Sequence, residues 1–243
     1  MLDAYGLSDP GSVRTNNEDY YLYDRPNGIF ILADGMGGAK AGEYASQLGT
    51  ERLYNYVLAA ESQADGNAAD GNPLERGFLE ANWLVRETAK TNPELEGMGT
   101  TLIAARTLGP QTVQISSVGD SRAYLAGNGR FARISKDQTW VAEVGPRLGL
   151  SAEALKVHPM RHVLTMAIGC ADELRVHTEI VTLNPGDQIL LCSDGLHGVV
   201  EESEIAEVLN SEKTLEEKCH YLIEAAKQNG APDNVTVLLI QLV

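Results

Sequence analysis

The sequence has few cysteines, and they are badly placed for disulfide or thiol chemistry. Its 243 residues include three cysteines, an odd and scattered set, which argues against a disulfide framework and fits a reducing compartment. A thiol phosphatase needs an arginine five intervening residues after its cysteine, but this chain has valine, glycine and alanine at those positions. Cysteine-based phosphate chemistry is therefore disfavoured. The three cysteines are Cys170, Cys192 and Cys219.

Other motifs of phosphate chemistry are also missing. No Asp-x-Asp sequence occurs for an aspartyl-phosphate enzyme, and no Gly-Lys pair occurs for a nucleotide-binding phosphate loop. No apolar run approaches the roughly 20 residues of a membrane span. Residues 1–10 lack the basic start and the apolar core of a signal peptide. We therefore expect a cytoplasmic protein with no membrane partner.

Basic residues are scarce. The chain has 19 lysine and arginine residues against 34 aspartate and glutamate residues, which gives a net charge of −15. This excess of negative charge disfavours nucleic acid and anionic membrane surfaces as partners. The apolar fraction of 43% and the length allow a substantial core. We expect a single domain over residues 1–243, and a monomer.

Helical patterns occupy two parts of the chain. Apolar residues at steps of three and four predict a first helix over Ala41–Ala60 and a second that begins near Pro73 and ends before Asn92. Between them, Ala59–Asn72 is rich in Ala, Gly, Asp and Asn, and we interpret it as an inserted loop. Two later helices are predicted at about 201–210 and 213–229, with Gly230 as a C-cap.

Strand patterns occupy most of the remainder. Residues 100–134 indicate several antiparallel strands with a hairpin turn at Asn128-Gly129. The irregular segment that follows contains a region, about 144–160, which we interpret as a surface flap. Further strands are predicted at 176–183, 188–193 and 235–243.

Four of the apolar runs meet an aspartate at one end. Two carboxylates about 5 Å apart repel each other by roughly 3 kcal/mol at an effective dielectric of 20, and a divalent cation removes that cost. No cysteine or histidine lies at ligand spacing beside them, so such oxygen ligands suit magnesium, manganese or calcium rather than zinc. The aspartates are Asp34, Asp120, Asp194 and Asp233, and the acidic pair Glu18-Asp19 lies near the start of the chain.

These carboxylates belong to a series of motifs that covers essentially the whole chain. The motifs are Arg14-x-x-Asn17-Glu18-Asp19, Ala33-Asp34-Gly35-Met36-Gly37-Gly38, Gly42-Glu43, Gly99-Thr100-Thr101, Gly119-Asp120-Ser121-Arg122, Ser193-Asp194-Gly195-Leu196 and Asp233-Asn234-Val235-Thr236. In order and spacing the sequence resembles the metal-dependent type 2C protein serine/threonine phosphatases, and its Asp-Gly-Met-Gly-Gly form resembles the bacterial branch. The resemblance implies an α+β fold, a four-layer α/β/β/α sandwich of two antiparallel sheets flanked by helices, with a two-metal site at one edge.

The resemblance also implies a set of metal ligands for two Mn²⁺ or Mg²⁺ ions. Asp34 would bridge the two ions, and the Gly35 carbonyl would complete one of them. Asp194 and Asp233 would hold the other. The remaining positions are Glu18 and Asp19, which belong to the same site, and Asp120, which would bind a weaker third ion.

Three further residues receive roles from the resemblance. Arg14 matches the arginine that holds the substrate phosphate, and its planar fork suits two phosphate oxygens. Asn234 would brace Asp233, and Arg161 would assist phosphopeptide binding. Family departures cluster near the flap, where Gln138 replaces a histidine and His162 an asparagine. For the five histidines we expect structural or surface roles; they are His158, His162, His177, His197 and His220.

The implied activity is hydrolysis of phosphoserine and phosphothreonine in proteins, opposing a Ser/Thr kinase. Water held between the two metal ions would attack phosphorus in line, without a phosphoenzyme. An alternative is a non-catalytic phosphatase-like module that binds a phosphoprotein or acts as a scaffold, but every metal-ligand match is retained. A calcium-binding surface protein is a third interpretation, and it lacks calcium-loop spacing and a signal peptide.

Overall fold

Two antiparallel sheets lie face to face in the structure, a computed structural model that describes residues 2–62 and 72–243. Among these residues the strands are β1 (Leu2–Asp9), β2 (Asp19–Asp24), β3 (Ile29–Met36), β4 (Gly99–Thr100), β5 (Leu102–Thr107), β6 (Thr112–Val118), β7 (Arg122–Gly127), β8 (Arg130–Arg133), β9 (His177–Thr182), β10 (Gln188–Cys192) and β11 (Val235–Leu242). The α-helices are α1 (Ala39–Ser62), α2 (Pro73–Thr91), α3 (Trp140–Glu143), α4 (Ala152–Lys156), α5 (Asp194–His197), α6 (Glu202–Leu209) and α7 (Leu215–Gln228), and short 3₁₀ turns lie at Pro93–Leu95 and Pro146–Leu148.

The strand order divides the chain between two sheets. Sheet I has the order β1-β11-β10-β7-β8, and sheet II has the order β2-β3-β5-β6-β9, with β4 paired to the end of β3. Every strand pair is antiparallel. Strand β1 pairs with β11 along its whole length, so segments near both termini share one sheet. The single-domain expectation for residues 1–243 stays a prediction.

The central core forms between the two sheets, because side chains alternate across each strand. On β3, Phe30 and Leu32 point to the inter-sheet core, whereas Ile29 and Ile31 join the core under the helices. Sheet I contributes side chains to the same inter-sheet core, and one of them, Ile189, is fully buried. A strand covered on both faces explains why the sequence of β3 is an unbroken apolar run.

Helices cover the outer faces of both sheets, which confirms the predicted α/β/β/α sandwich. Helices α1 and α2 pack on sheet II through a stripe of α1 that includes Leu53 and Val57. Helices α6 and α7 pack on sheet I through Ile205 and Leu222. Helix α7 begins with a capping box, in which the Thr214 side chain accepts from the backbone of Glu217. Among the described residues, none of the helices has the length and hydropathy needed to cross a membrane.

The first helix is longer than predicted. It begins at Ala39 and continues to Ser62, so the first residues of the predicted loop Ala59–Asn72 are helical and that part of the prediction is wrong. Ala, Ala and Glu at 59–61 are good helix formers, and Arg106 donates a 2.8 Å hydrogen bond to Glu61 in the last turn. The rest of the predicted loop, 63–71, lies outside the described residues.

The other predicted elements agree closely with the structure, whereas β1 and β2 were not predicted. Asn72 caps α2, and its side chain accepts hydrogen bonds from two backbone N–H groups of the first turn. The β7–β8 hairpin turns at Asn128 and Gly129, both with positive φ (51° and 73°), as a type I′ turn requires. The flap, 144–160, is mostly exposed and contains α4 and the turn Pro146–Leu148. Its base is fixed by Trp140, whose ring stacks on His158 with 4.5 Å between centroids.

Candidate active site

The predicted aspartates come from different elements of the two sheets. Asp19 opens β2 and pairs in register with Asp34 of β3, both in sheet II. Asp120 follows β6 of the same sheet. Asp194 begins α5, directly after β10 of sheet I, and Asp233 lies just before β11. The fold therefore carries carboxylates from both sheets toward one another.

The structure corrects one detail of this arrangement. Asp34 and Gly35 do not follow the end of a strand, because β3 continues through them to Met36. The extension is held by β4, in which Thr100 pairs with Gly35. The Asp34 carbonyl accepts a 2.8 Å hydrogen bond from the backbone N–H of Thr101, and its own N–H donates to the Thr101 hydroxyl at 3.0 Å. The backbone N–H and C=O of Asp34 are thus both held by Thr101.

The five aspartates form one electrostatic cluster. Burial raises the pKa of Asp34 well above its ordinary value, and the negative charges of the other four aspartates raise it further. The pKa of Asp194 is raised mainly by burial and then by Asp233, while a hydrogen bond with Asp34 and the charge of Arg14 lower it. Partial loss of water around the carboxylates makes each ionised form costly. The cluster is therefore short of positive charge.

Asp19 has one oxygen that lacks a protein partner. Its Oδ2 accepts a 2.8 Å hydrogen bond from the Ser193 hydroxyl, but its buried Oδ1 has no hydrogen-bond partner among the described residues. Burial raises the pKa of Asp19 to about 7; the Thr236 and Ser193 hydroxyls counteract this effect, and the charges of Asp194 and Asp233 add to it. An unpaired buried carboxylate oxygen is costly unless a cation or a donor faces it.

Hydroxyl and amide side chains from β1, from β11 and from the segments next to β10 and β2 hold Asp19 in place. The Ser193 hydroxyl also accepts from the backbone N–H of Thr236 at 3.0 Å, and the Thr236 hydroxyl is 2.7 Å from the Ser8 hydroxyl. Asn17 donates to Ser8 at 2.7 Å, and its side-chain oxygen accepts from the Asp19 N–H at 3.1 Å. The network closes on Asp19, so its carboxylate orientation is determined by both sheets.

Glu18 is held in a crevice that only glycine can line. A Cβ on Gly42 would overlap Glu18 Oε2, and a Cβ on Gly35 would overlap the carbonyl oxygen of Gly42. The Gly35 N–H donates to the Glu18 carbonyl at 3.1 Å, and Asn16 donates to Glu18 Oε1 at 2.8 Å. The glycines of two motifs therefore allow α1 to approach β3 closely at the predicted ligands.

The Asp120 turn is fixed by a residue that departs from the family pattern. Gln138 exchanges two 2.9 Å hydrogen bonds with the backbone of Gly119 and donates to the Arg175 carbonyl at 2.7 Å. Burial, with the charges of Asp194 and Asp137, raises the pKa of Asp120 to about 7. The glutamine thus provides a structural brace for this turn.

His197, at the end of α5 on the sheet I side, supports the same turn. Its Nε2 lies 3.0 Å from the Asp120 carbonyl oxygen, so Nε2 carries the hydrogen and donates. Burial lowers the pKa of His197 to about 3. A neutral histidine bonded to the backbone is a structural residue, in agreement with the role expected from the sequence.

Arg14 and Asn234 link the segment before β2 to the segment before β11. Arg14 Nη2 lies 3.0 Å from Asp233 Oδ2, and both side chains are about half exposed, at 48% and 41%. Asn234 reaches Asp233 through its backbone N–H. Its side chain instead accepts from the Glu18 N–H at 2.8 Å and donates to the carbonyls of Pro10 and Asn16. Asn234 therefore braces the Arg14–Glu18 loop, a contact that the sequence did not predict.

Some residues near the cluster were not identified from the sequence. His162, expected to be a surface or structural residue, is close enough to Asp194 for its charge to lower the pKa of Asp194. Ser193, Thr236 and Thr101 occur in the recognised motifs but received no role. The available signal was local at Ser193, which directly precedes Asp194, whereas Thr236 and Thr101 are not adjacent to a predicted ligand in the sequence. Arg161 is exposed and lies on the flap side, apart from the Asp19 network.

The residues present fit a site for hard divalent cations. The available donors are carboxylate and carbonyl oxygens, Asp19 Oδ1 lacks a partner, and burial and mutual repulsion raise the pKa of four of the aspartates. In residues 2–62 and 72–243, no three or more His, Cys, Asp and Glu side chains are gathered into a group that could already hold a metal ion. The individual ligand assignments therefore stay predictions.

The chain is similar to known proteins over nearly its whole length. The family model described as Protein phosphatase 2C matches residues 12–239. The serine/threonine phosphatase stp of Listeria innocua is 35% identical over 243 residues, covering 99% of this chain and 96% of the relative. The serine/threonine protein phosphatase PstP of Mycobacterium tuberculosis is 37% identical over 247 residues, covering 100% of this chain and 45% of that longer protein.

Solved structures of other proteins superpose on 99% or more of this chain. The serine/threonine phosphatase of S. agalactiae superposes with a TM-score of 0.86 at 30% identity, covering 100% of both chains. The catalytic domain of PstP, solved in complex with 2 manganese ions, gives a TM-score of 0.79 at 34% identity and covers 99% of this chain and 97% of its own.

Proposed function

We propose, from the premise that the chain belongs to the protein phosphatase 2C family, that it hydrolyses phosphoserine and phosphothreonine with bound Mn²⁺ or Mg²⁺. As a member of that family it is an enzyme, a serine/threonine phosphatase. The observation that carries the metal dependence is the aspartate cluster, in which buried carboxylates repel one another and Asp19 Oδ1 lacks a partner. PstP, whose catalytic domain was solved with manganese, supports the same metal class.

The proposed ligands divide between the two sheets. From sheet II, Asp19, Asp34 and the Gly35 carbonyl would hold the ions, with Glu18 beside them. The other two ligands would be Asp194 and Asp233, from the sheet I side. Asp120, held by His197 and Gln138, would take part in a weaker third site. Two such ions, when bound, supply an activated water nucleophile and neutralise charge on the phosphoryl oxygens.

Arg14 would bind the substrate phosphate. Its guanidinium is about half exposed and lies beside Asp233, and its charge also acts on Asp194. A planar fork donates two parallel hydrogen bonds to phosphate oxygens, which fixes the orientation of the phosphoryl group. The bond from phosphorus to the serine or threonine oxygen breaks as the water oxygen bonds to phosphorus, and the products are phosphate and the free hydroxyl.

Cysteine chemistry does not compete with this mechanism. Burial raises the pKa of Cys192 and of Cys219 to about 12, and it also raises the pKa of Cys170. A nucleophilic cysteine needs a lowered thiol pKa, because the thiolate is the reactive form. Direct attack by water is therefore the route that this chain's residues favour.

We further propose the cellular setting that the sequence predicts. The three cysteines are free, which suits the reducing cytoplasm. The net charge of −15 opposes self-association, which supports a monomer. The phosphorylated substrates would be those of a Ser/Thr kinase.

The proposal is tested by hydrolysis of a phosphothreonine peptide with Mn²⁺, with Mg²⁺ and after chelation. Release of inorganic phosphate that depends on metal is the expected result. Metal and peptide binding without phosphate release would instead support a non-catalytic phosphoprotein-binding module. Phosphate release that survives full chelation would contradict the metal dependence while leaving the phosphatase activity in place.

A further inference from the structure

A cavity of about 300 Å³ lies between the flap and the body of the protein. This flap cavity has aliphatic walls and a cationic side. Its volume is at the lower end of ligand pockets, which suits one side chain or a short peptide segment. It is lined by Asp137, Thr139, Val141, Ala142, Ala152, Leu155, Lys156 and Arg161.

The charges around the flap cavity are unbalanced in favour of cations. Asp137, the acidic residue of the lining, is neutralised by Arg122 at 2.7 Å and by Arg133 at 3.2 Å. Lys156 and Arg161 form no ion pair within the ranges 2–62 and 72–243. The charge of Lys156 acts on exposed Glu153, one turn earlier, without a direct contact. The lining of the flap cavity therefore has an excess of positive charge.

The flap cavity lies beside the aspartate cluster. Asp137 in its wall directly precedes Gln138, whose two 2.9 Å hydrogen bonds hold Gly119, the residue before Asp120. Arg161, which also lines the cavity, directly precedes His162, whose charge acts on Asp194. A substrate whose phosphorylated residue reaches the cluster would therefore pass its neighbouring residues over the flap cavity.

Apolar side chains are also exposed around the flap. Val157 is 78% exposed and Leu148 is 64% exposed, and Met160 and Val163 are 37% and 40% exposed. Exposed apolar side chains that occur together, rather than singly, mark surfaces that bind a partner. Val157 directly follows Lys156 and Met160 directly precedes Arg161, so a partner of these cations would carry apolar as well as acidic groups.

We propose that the flap cavity binds an aspartate or glutamate side chain of the substrate, close in sequence to the phosphorylated residue. The inference rests on the proposed function and specifies its substrate class. Lys156 and Arg161 would pair with the carboxylate, while Val141 and Leu155 would contact its methylene groups. Phosphoprotein segments with an acidic neighbour would be preferred over neutral or basic ones.

The experiment is a cycle that pairs two peptides with two proteins. Apart from the phosphothreonine, the peptides are neutral. Glutamate, or its isosteric glutamine, is placed in turn at each position before and after the phosphothreonine. The original protein and Lys156→Gln are compared by kcat/KM for each pair of peptides, with Mn²⁺ present. At the best position the original protein should prefer glutamate about fivefold, the scale of an exposed ion pair, and Lys156→Gln should lose that preference.

Arg147→Gln is the matched control. Arg147 lies on the same flap, in the turn Pro146–Leu148, and carries the same charge, but it does not line the cavity. This variant should keep the glutamate preference, and equal loss in both variants would show a general charge effect and overturn the subsite. A glutamate preference that is absent at every position in the original protein would overturn it too.

Two further results separate the subsite from its alternatives. Turnover of all peptides without preference leaves the phosphatase proposal intact and contradicts the subsite, whereas no turnover of any peptide contradicts the phosphatase proposal. A further set of peptides carries phosphoserine in place of glutamate. It tests whether the flap cavity binds a second phosphate group of the substrate. A preference for that phosphate alone, without one for glutamate, would overturn the assignment to a carboxylate.

Discussion

The Ser193 hydroxyl donates a 2.8 Å hydrogen bond to Asp19, and this bond joins the two sheets at the candidate metal site. Ser193 follows β10 of sheet I, whereas Asp19 opens β2 of sheet II. Both groups are buried. The relative position of the sheets and the orientation of a predicted ligand therefore depend on the same contact.

Ser193→Ala should weaken metal binding as well as stability. The substitution leaves a buried Asp19 oxygen without its donor, which costs about 1–3 kcal/mol in the free energy of unfolding. Loss of a partner that orients a ligand typically lowers metal affinity by about 10–100-fold. Urea denaturation and Mn²⁺ titration by calorimetry measure the two effects.

Ser117→Ala is the control for the serine prediction. Ser117 is also buried, but its hydroxyl has no hydrogen-bond partner within the described part of the chain. Its removal should leave both stability and Mn²⁺ affinity nearly unchanged. Unchanged Mn²⁺ affinity in Ser193→Ala would show that this hydroxyl does not position Asp19.

Gly42→Ala should disrupt the crevice around Glu18. The added methyl group overlaps Glu18 Oε2, so the helix or the carboxylate must move. We expect lower stability, and a loss of metal-stimulated turnover of about 100-fold, since small misplacements of a catalytic group have effects of this size. Thermal unfolding and turnover of a phosphate ester measure the result.

Gly49→Ala lies in the same helix and provides the comparison. A Cβ there would be 3.4 Å from its nearest neighbour, the Thr100 methyl group, which is ordinary contact. Replacing a helix glycine without a clash should stabilise the protein by about 0.5–1 kcal/mol. Equal effects at Gly42 and Gly49 would contradict the crevice argument.

His197 makes the protein sensitive to acid. Its pKa is about 3 in the fold against an ordinary value of 6.5, so between these values the unfolded chain binds a proton that the folded chain does not. Its contribution to stability is complete above pH 6.5 and is lost as the pH falls toward 3. Relative to His197→Gln, the original protein should lose up to about 2 kcal/mol between pH 7 and pH 5.

Urea denaturation at the two pH values tests the histidine prediction. The exposed His220, changed to glutamine, should leave the pH dependence unaltered. The same pH dependence in His197→Gln as in the original protein would mean that folding does not lower the pKa of His197.

Arg14→Lys should lower phosphatase efficiency although the charge is kept. Lysine lacks the planar fork, so one of the two phosphate hydrogen bonds is lost. A hydrogen bond to a charged group contributes about 1.5–3 kcal/mol, which corresponds to a fall in kcat/KM of about 10–100-fold. Arg25→Lys is matched, because Arg25 is also about half exposed and paired with an aspartate, Asp3, at 2.6 Å. Equal kcat/KM in both variants would exclude a forked contact at Arg14.

Much of the fold was predictable because the signals were local. The hairpin at Asn128-Gly129, the helix start at Pro73 and the apolar run Ile29–Ala33 each lie within a few residues of the element that they specify. The continuation of β3 through Asp34 was not predictable in the same way. It depends on pairing with Thr100, which lies far away along the chain.

The site shows the same difference between local signals and long-range contacts. Motifs identified the carboxylates and Arg14, whereas their supporting contacts arise only when the two sheets meet. The Ser193–Asp19 bond joins residues 174 positions apart, and the Asn234–Glu18 bond joins residues 216 positions apart. His162 was assigned away from the site because nothing in its local sequence indicates that it approaches Asp194.

The most direct test of the metal-dependent mechanism compares Asp34→Asn with Asp24→Asn after complete metal removal. Asp24 lies on β2 at the opposite end from Asp19 and serves as the matched control. Hydrolysis of a phosphothreonine peptide is measured as Mn²⁺ is returned to each protein. The account predicts that Mn²⁺ restores full turnover to the original protein and to Asp24→Asn, but almost none to Asp34→Asn. Full restoration in Asp34→Asn would contradict it.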